Sequence, residues 1–395
     1  MKRHTILPLT ALLLAMSLLC GCGGIYTNYK DLEQLQIIQT LGADRDETGG
    51  ITLSAASGAD VSGGAPAVLS IGASSVETAM EKLQEYSARE TLYFAHTQFL
   101  LAGEDAARAG MDEYLDYIQR IPLLRSDVRL FLVHGSRAET LITGSGDGKY
   151  DVSDELQSLL RDLEHQNGMQ VFSCTEVSRR LAESGAALVC ALDAADTEGV
   201  IFSGGGGLAA LSAGYGVLKD GRLAGYILGD DARGVDLLGG TLSGGPVALK
   251  APDGSTVTVQ LRSGSTRLTP VWGEDGSLVT LRAEAALSAE LAELEHPSLA
   301  AQPDFSRALS GALRVRAEGW LREVLELSAA LDADFLALGE TLRRQDARRF
   351  DAMPRSWEET LPALRFSVSV DAELIGSFEN EGAVNTQGSG IGGTA

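Results

Sequence analysis

Residues 17–24 read SLLCGCGG, and two of the chain's four cysteines stand there one residue apart. A thiol at the end of an apolar leader can take a diacylglyceryl group and, after cleavage on its N-terminal side, become the first residue of a lipid-anchored chain. The lipobox pattern asks for leucine at −3, a small residue at −1 and cysteine at +1. Cys22 meets it, with Leu19 and Gly21 in those places. Cys20 does not, because Leu19 would then occupy the −1 position, and it leaves with the leader. Lys2 and Arg3 precede the apolar run Ile6–Leu19, which is well short of the roughly 20 residues a helix needs to span a bilayer. Residues 1–21 therefore read as a lipoprotein signal peptide. Two acyl chains, at about 0.8 kcal/mol per buried methylene, are what stable anchoring takes. The competing reading is ordinary secretory cleavage nearby, which would leave a free exported protein.

The other reactive side chains are few. Cys174 and Cys190 lie in a chain read as exported, where disulfides persist. A bridge between them would close a short loop and stabilise by about 3 kcal/mol in the chain-entropy model. Cys190 also sits in the apolar run AALVCAL, where a buried free thiol is equally natural, so both readings stay open. Neither has a neighbouring histidine and no CxxC spacing exists, so no metal site is expected. His4 belongs to the leader, and His96, His134, His165 and His296 make no HExxH or HxH arrangement; they read as structural or solvent-facing. GSGDG at 144–148 lacks the GxSxG of a nucleophile elbow. SGGGG at 203–207 is followed by Leu208-Ala209-Ala210, not the Gly-Lys-Ser/Thr of a phosphate loop. A calcium loop begun at Asp44 would need glutamate at its twelfth position, where Ala55 stands; Asp44–Gly49 reads as a polar hairpin tip. Asp230-Asp231 and Glu293/Glu295 read as solvated acidic faces. The expectation is no enzyme, no cofactor and no metal.

The elements that carry these residues follow from composition and periodicity. At 395 residues and 44% hydrophobic the chain can form two or three cored domains. Its formal charge of −22 argues against nucleic acid, which needs a basic face to displace counterions, and against binding an anionic lipid surface by charge alone. LQIIQTLGADRDETGGITLSAASG reads as two strands and a turn. Ser74-Ser75-Val76-Glu77 is a capping box opening a helix whose apolar side is Val76, Met80 and Leu83. TQFLLAG, a single helix EDAARAGMDEYLDYIQRI with Met111, Leu115 and Ile118 on one face, and VRLFLVHG follow. Strand, helix, strand in this order implies parallel pairing with crossover helices. Helices at 152–164 and 175–184 and a strand around Val189 complete an N-terminal α/β domain over 22–195. Residues 196–250 read as a small glycine-rich middle module, with a hairpin at 214–228 turning on Asp220-Gly221. Residues 251–385 read as an α+β domain. Its consecutive strands, STVTVQLRSG, TRLTPVWGEDG and SLVTLRAEAALSAEL, suggest an antiparallel sheet. It is packed with a long amphipathic helix whose stripe is Leu309, Leu313, Ala317, Trp320, Val324, Leu327 and Leu331. FSVSVDAELIG is a last strand, and 386–395 a disordered tail. The fold class expected is mixed α/β and α+β, in several domains.

TLYFAHTQFLLAGEDAARAGMDEYLDYIQRIPLLRSDVRLFLVHG, at 91–135, resembles the N-terminal domain of the Ger(x)C family, the C-subunit lipoproteins of GerA-type germinant receptors in endospore formers. GYGVLKDGRLAGYIL resembles that family's Lys-Asp-Gly hairpin. DADFLALGETLRRQDARRFDAMPRSWEE resembles its Asp-apolar-x-x-apolar-Gly run, followed by a basic helix and Trp357. The lipobox and the LGADRD hairpin agree, and the similarity runs in patches from Cys22 to about Gly376. The chain departs where Gly23-Gly24-Ile25-Tyr26 stand instead of the Trp-Asp that often follows the lipidated cysteine. It departs again at Ala337, where glycine is frequent, and in the glycine-rich stretches at 203–207 and 239–245. The resemblance implies a non-catalytic subunit on the outer face of the spore inner membrane, held by its lipid anchor beside integral A and B subunits. A solute-binding lipoprotein of a transport system is the alternative, and it would need two similar lobes around a cleft. An exported hydrolase ranks behind both.

Overall fold

Alternating apolar side chains make β1 (Leu35–Arg45) and β2 (Ile51–Ser57) an antiparallel hairpin. Its tip is organised by the Asp46 carboxylate, which accepts hydrogen bonds from Thr48 N, Thr48 Oγ1 and Gly50 N at 2.9, 2.7 and 2.7 Å. The acidic run is thus the expected turn, except that Asp44 belongs to β1 and is buried. The computed structural model describes residues 35–58, 67–87, 91–144, 151–164, 168–196, 208–294 and 304–375.

β3 (Val68–Ala73) pairs with β2, and α1 (Val76–Tyr86) then leads to β4 (Thr91–Tyr93) and β5 (Phe99–Gly103), both parallel to β1. Val76, Met80 and Leu83 are buried as the spacing requires. The cap is one residue later than the capping-box pattern indicates: Ser75, not Ser74, accepts from Thr78 N at 3.2 Å. Glu113 Oε1, from a neighbouring helix, takes the Val76 N–H at 3.1 Å, so a tertiary contact satisfies an orphan donor that the local box leaves open. The single helix expected after β5 is two, α2 (Glu104–Ala109) and α3 (Asp112–Arg120). Gly110 between them has φ of 134°, a value no helical residue adopts. β6 (Arg129–Val133), α4 (Ala138–Thr143), α5 (Val152–Asp162), α6 (Cys174–Ser184) and β7 (Ala186–Asp196) follow. β1, β5, β6 and β7 are mutually parallel, as the strand–helix alternation demands.

The hairpin expected at 214–228 is present as β8 (Leu208–Lys219) and β9 (Arg222–Leu228). Asp220 and Gly221 have φ of 49° and 73°, the paired positive values of a type I′ turn. The hairpin does not form a sheet of its own. β8 pairs antiparallel with β7 from Ala186↔Lys219 to Asp196↔Leu208, because the outer edge of β7 would otherwise present a row of unpaired N–H and C=O groups. The first sheet therefore runs β3-β2-β1-β5-β6-β7-β8-β9, with β4 beside β1. Side chains alternate across it. Leu100, Ala102, Leu130, Leu132 and Val189 face a core closed by α1, α2, α3 and α6. Phe99, Leu101, Phe131, Val133 and Leu192 face a second core closed by α4 and α5.

After α7 (Arg233–Gly239), the second sheet runs β10 (Pro246–Lys250), β11 (Thr256–Trp272), β12 (Leu278–Leu294) and β13 (Arg365–Leu374). The two strands read over 256–272 are one, with a register shift between Leu261 and Ser263 that lets the strand bend rather than end. The first three strands are antiparallel, as expected, but β13 runs parallel to β12. The cause lies between them: α8 (Phe305–Ala330) crosses over the sheet, and a crossover helix returns the chain in the same direction. Leu309, Leu313, Ala317 and Trp320 of α8 pack on Val257, Val259, Leu261 and Leu287. Val324, further along the same stripe, belongs to the core under the first sheet. One helix thus joins both cores.

Candidate functional site

Cys22 lies outside the described residues, as do His165 and His296. Cys174 and Cys190 are free thiols, both buried. The bridge that the sequence leaves open is not made, because the two sit on opposite faces of the first sheet. Cys174 opens α6 within one core, and Cys190 points from β7 into the other. Burial pushes the Cys174 thiol up to about 12 and raises Cys190 further, which disfavours the reactive thiolate form of both.

Several polar groups meet at the strand ends of the first sheet. His134, just after β6, donates from Nδ1 to Asp193 Oδ1 at 2.8 Å and meets the Tyr226 ring edge-on, centroids 4.7 Å apart. Tyr226 Oη donates to Glu104 Oε2 at 3.1 Å, and Gly135 N donates to the same oxygen at 2.6 Å. Burial works to raise Glu104, but the hydrogen bonds from Arg108, Gly135 N and Tyr226 outweigh it and hold the carboxyl below its ordinary value. A hydrolytic triad would add a hydroxyl or thiol on His134 Nε2, and among the described residues none is bonded there. Asp44, at the end of β1, accepts from Ala138 N and Glu139 N at 2.7 and 2.8 Å and so caps α4. Among the described residues no group of three His, Cys, Asp or Glu is placed to hold a metal ion.

Two buried carboxylates lie where the sheets meet: Asp334 opens the Asp-apolar-x-x-apolar-Gly run, and no motif marks Asp236. Asp236 of α7 accepts from Tyr215 Oη of β8 at 2.6 Å, and Gln170 N donates to that same oxygen at 2.8 Å. Burial, opposed by this hydrogen bond, pushes Asp236 up to about 7. Asp334 opens the stretch before α9 (Leu338–Gln345). Its carboxylate accepts from Leu338 N at 2.7 Å, Gly339 N at 2.8 Å and Trp357 Nε1 at 2.8 Å. Burial raises Asp334, and these three donors pull it back. The phrase from Asp332 to Glu359 is therefore a clasp: one carboxylate binds both ends of the excursion through α9 and α10 (Ala347–Asp351). Gly339 has to be glycine here, since a Cβ would lie 2.7 Å from Trp357 Nε1. Ala337 has φ of 53°, a left-handed conformation that glycine adopts without strain. That explains why glycine suits the position.

The clasp forms one wall of a groove of about 1670 Å³ between the two sheets. Arg180 of α6 and Arg267 of β11 stand on its sides, with Lys219 bound to Leu331 O and Asp332 at 3.0 and 3.1 Å. Arg180 lies over the Phe172 ring at 4.2 Å, and its Nε is buried without a hydrogen-bond partner. The groove is lined by charged side chains together with aliphatic and aromatic ones, among them Leu188, Val235, Leu338 and Phe335.

The comparisons with known proteins agree with this architecture. Residues 28–194 match the family described as spore germination protein N-terminal domain, and 213–377 match spore germination B3/GerAC like, C-terminal. No curated protein matches the chain. Among solved structures, "Crystal Structure of the GerBC protein" superposes with a TM-score of 0.57 at 17% identity, covering 88% of this chain and all of that one; it shows the same mixed, multi-domain fold. With both halves of the family pattern present in order, the chain belongs to the GerAC-like spore germination proteins.

Proposed function

We propose that this protein is the non-catalytic C subunit of a nutrient germinant receptor. It is tethered through a diacylglyceryl group on Cys22 to the outer face of the spore inner membrane, beside integral A and B subunits. The observation that carries this reading is the succession of both GerAC-like domains behind a lipobox ending at Cys22. The physics is compatible with it. Among the described residues no helix is long and apolar enough to cross a bilayer, and two acyl chains on Cys22 would be enough for stable anchoring. The buried, hydrogen-bonded carboxylates Asp44, Asp236 and Asp334 are spent on joints and caps, as in a scaffold that presents surfaces to partners.

Cys22→Ala tests it. The variant is expected to be released from the membrane fraction of spores, with nutrient-triggered germination weakened or lost. Full germination by the released variant, in a strain without a paralogous receptor, would refute the tethered-subunit reading. The groove between the sheets is the one feature that favours a solute-binding lipoprotein. The sheets on its two sides differ in size and topology, unlike the paired lobes of such proteins. A thermal-shift screen with amino acids and sugars separates the two: no stabilisation is expected.

A further inference from the structure

The starts of the parallel strands β1, β4, β5 and β6 lie at one end of the first sheet. Three connections enter there, and each exposes a large apolar side chain. Tyr86 ends α1 and is 65% exposed, Tyr93 ends β4 at 39%, and Leu123 follows α3 at 65%. Val68, 40% exposed, begins β3 at the same end; β3 runs in the direction of β1 because both flank β2 antiparallel. Four of the nine exposed large apolar residues among those described thus share one end of one sheet. Scattered singly they would mean nothing. Gathered, they need an occupant.

The tether identifies it. Leu35, where β1 begins, lies at this same end. Cys22 is thirteen residues before it, and at about 3.5 Å per residue that span reaches at most ~45 Å. The described chain thus begins at the end that carries these four side chains, within that span of Cys22. Three arginines at this end hold carboxylates, Arg120 with Asp116 at 2.8 Å, Arg125 with Asp127 at 2.6 Å and Arg129 with Glu164 at 3.5 Å, so these acids carry compensated charge towards a headgroup layer. Tyrosine beside leucine is also the chemistry of the bilayer–water boundary, where amphipathic rings sit at headgroup level.

We propose that the strand-start end of the first sheet lies on the bilayer interface, with Tyr86, Tyr93, Leu123 and Val68 as its contacts. This orients the groove and the second sheet relative to the membrane. The inference rests on the tether at Cys22 proposed above.

The test replaces the biological tether with a chemical one. The mature chain beginning at Cys22 is coupled through that thiol to a maleimide lipid in phosphatidylcholine vesicles; Cys174 and Cys190 are buried and stay unmodified. Amide hydrogen exchange is then followed by mass spectrometry, on vesicles and free in solution. Exchange at 82–87, 91–97 and 121–128 is expected to slow on vesicles by about fivefold or more, the response of backbone withdrawn from solvent, while 134–137 and 228–233 at the opposite end do not change. The double variant Tyr86→Ser/Leu123→Ser changes only exposed side chains and is expected to lose that slowing while keeping its unfolding midpoint. Equal exchange on and off vesicles would overturn the proposal, as would equal slowing at both ends. Slowing that appears only when integral receptor subunits share the bilayer would also overturn it, assigning the patch to a protein. An unmodified N-terminus in native material would sink the acylation at Cys22 and leave this measurement standing.

Discussion

Asp236→Asn is the substitution whose effect can be worked furthest from the structure. Asp236 is buried between α7 and β8, where its Oδ1 accepts from Tyr215 Oη at 2.6 Å. Asparagine keeps an acceptor at that atom and removes the charge. Desolvation lifts the folded-state pKa from 3.8 to about 7. A raised carboxyl contributes stability that is complete below the unfolded value of 3.8 and is lost progressively as pH climbs to about 7, where the loss levels off. The shift is about three units, and at 1.36 kcal/mol per unit the full loss is about 4 kcal/mol, an upper figure for a group with one good hydrogen bond. Asparagine does not titrate, so the stability advantage of the variant is expected to grow from about 1–2 kcal/mol at pH 5 towards about 4 kcal/mol at pH 8. All other groups titrate alike in both proteins and cancel in the difference. Urea unfolding of the two proteins at half-unit steps from pH 5 to 8 measures it. An advantage that does not change with pH, or a variant less stable than the parent at pH 8, would refute the account of Asp236 as a desolvated carboxyl at the joint.

Three further outcomes are expected. Trp357→Phe removes one of the three donors on the buried Asp334 carboxylate and is expected to cost about 1–3 kcal/mol by chemical denaturation; a change below about 0.5 kcal/mol would mean that the clasp is held by the two backbone donors alone. Ala337→Gly relieves a left-handed alanine with φ of 53°, so it is expected to stabilise by about 0.5–1 kcal/mol, the left-handed penalty less the entropy glycine adds to the unfolded chain, and a measured loss would contradict that. With a disulfide reagent, the folded, unacylated chain beginning at Cys22 is expected to expose that thiol alone, and denaturation without reductant should release the buried thiols of Cys174 and Cys190. Failure to release them would mean that they are bonded after all.

Much of this molecule was legible locally. The unbroken apolar runs FLLAG and RLFLV, the helical spacing of Met111, Leu115 and Ile118, and the stripe along α8 are patterns that one strand covered on both faces or one helix imposes on its own residues. The pair Asp220-Gly221 names its turn because few residues tolerate two successive positive φ values. The lipobox at Cys22 and the phrases at 91–135, 214–228 and 332–359 are likewise contiguous, which is why family membership could be anticipated from the order of short motifs.

What the chain order does not encode is which segments meet through space. β13 runs parallel to β12 because α8 crosses the sheet, and no feature of FSVSVDAELIG carries that direction. The hairpin of β8 and β9 completes the first sheet because β7 has a free edge there. Cys174 and Cys190, close in sequence and in a permissive setting, are kept apart by the sheet whose two faces they occupy. Asp236 looks like one more acid in an acidic chain until Tyr215, 21 residues back, supplies its hydrogen, and the motif at Asp334 does not say that Trp357, 23 residues on, will donate to it. Side-chain periodicity is written in covalent neighbours, whereas a hydrogen-bond partner or a buried charge is a property of what the fold brings within about 3 Å.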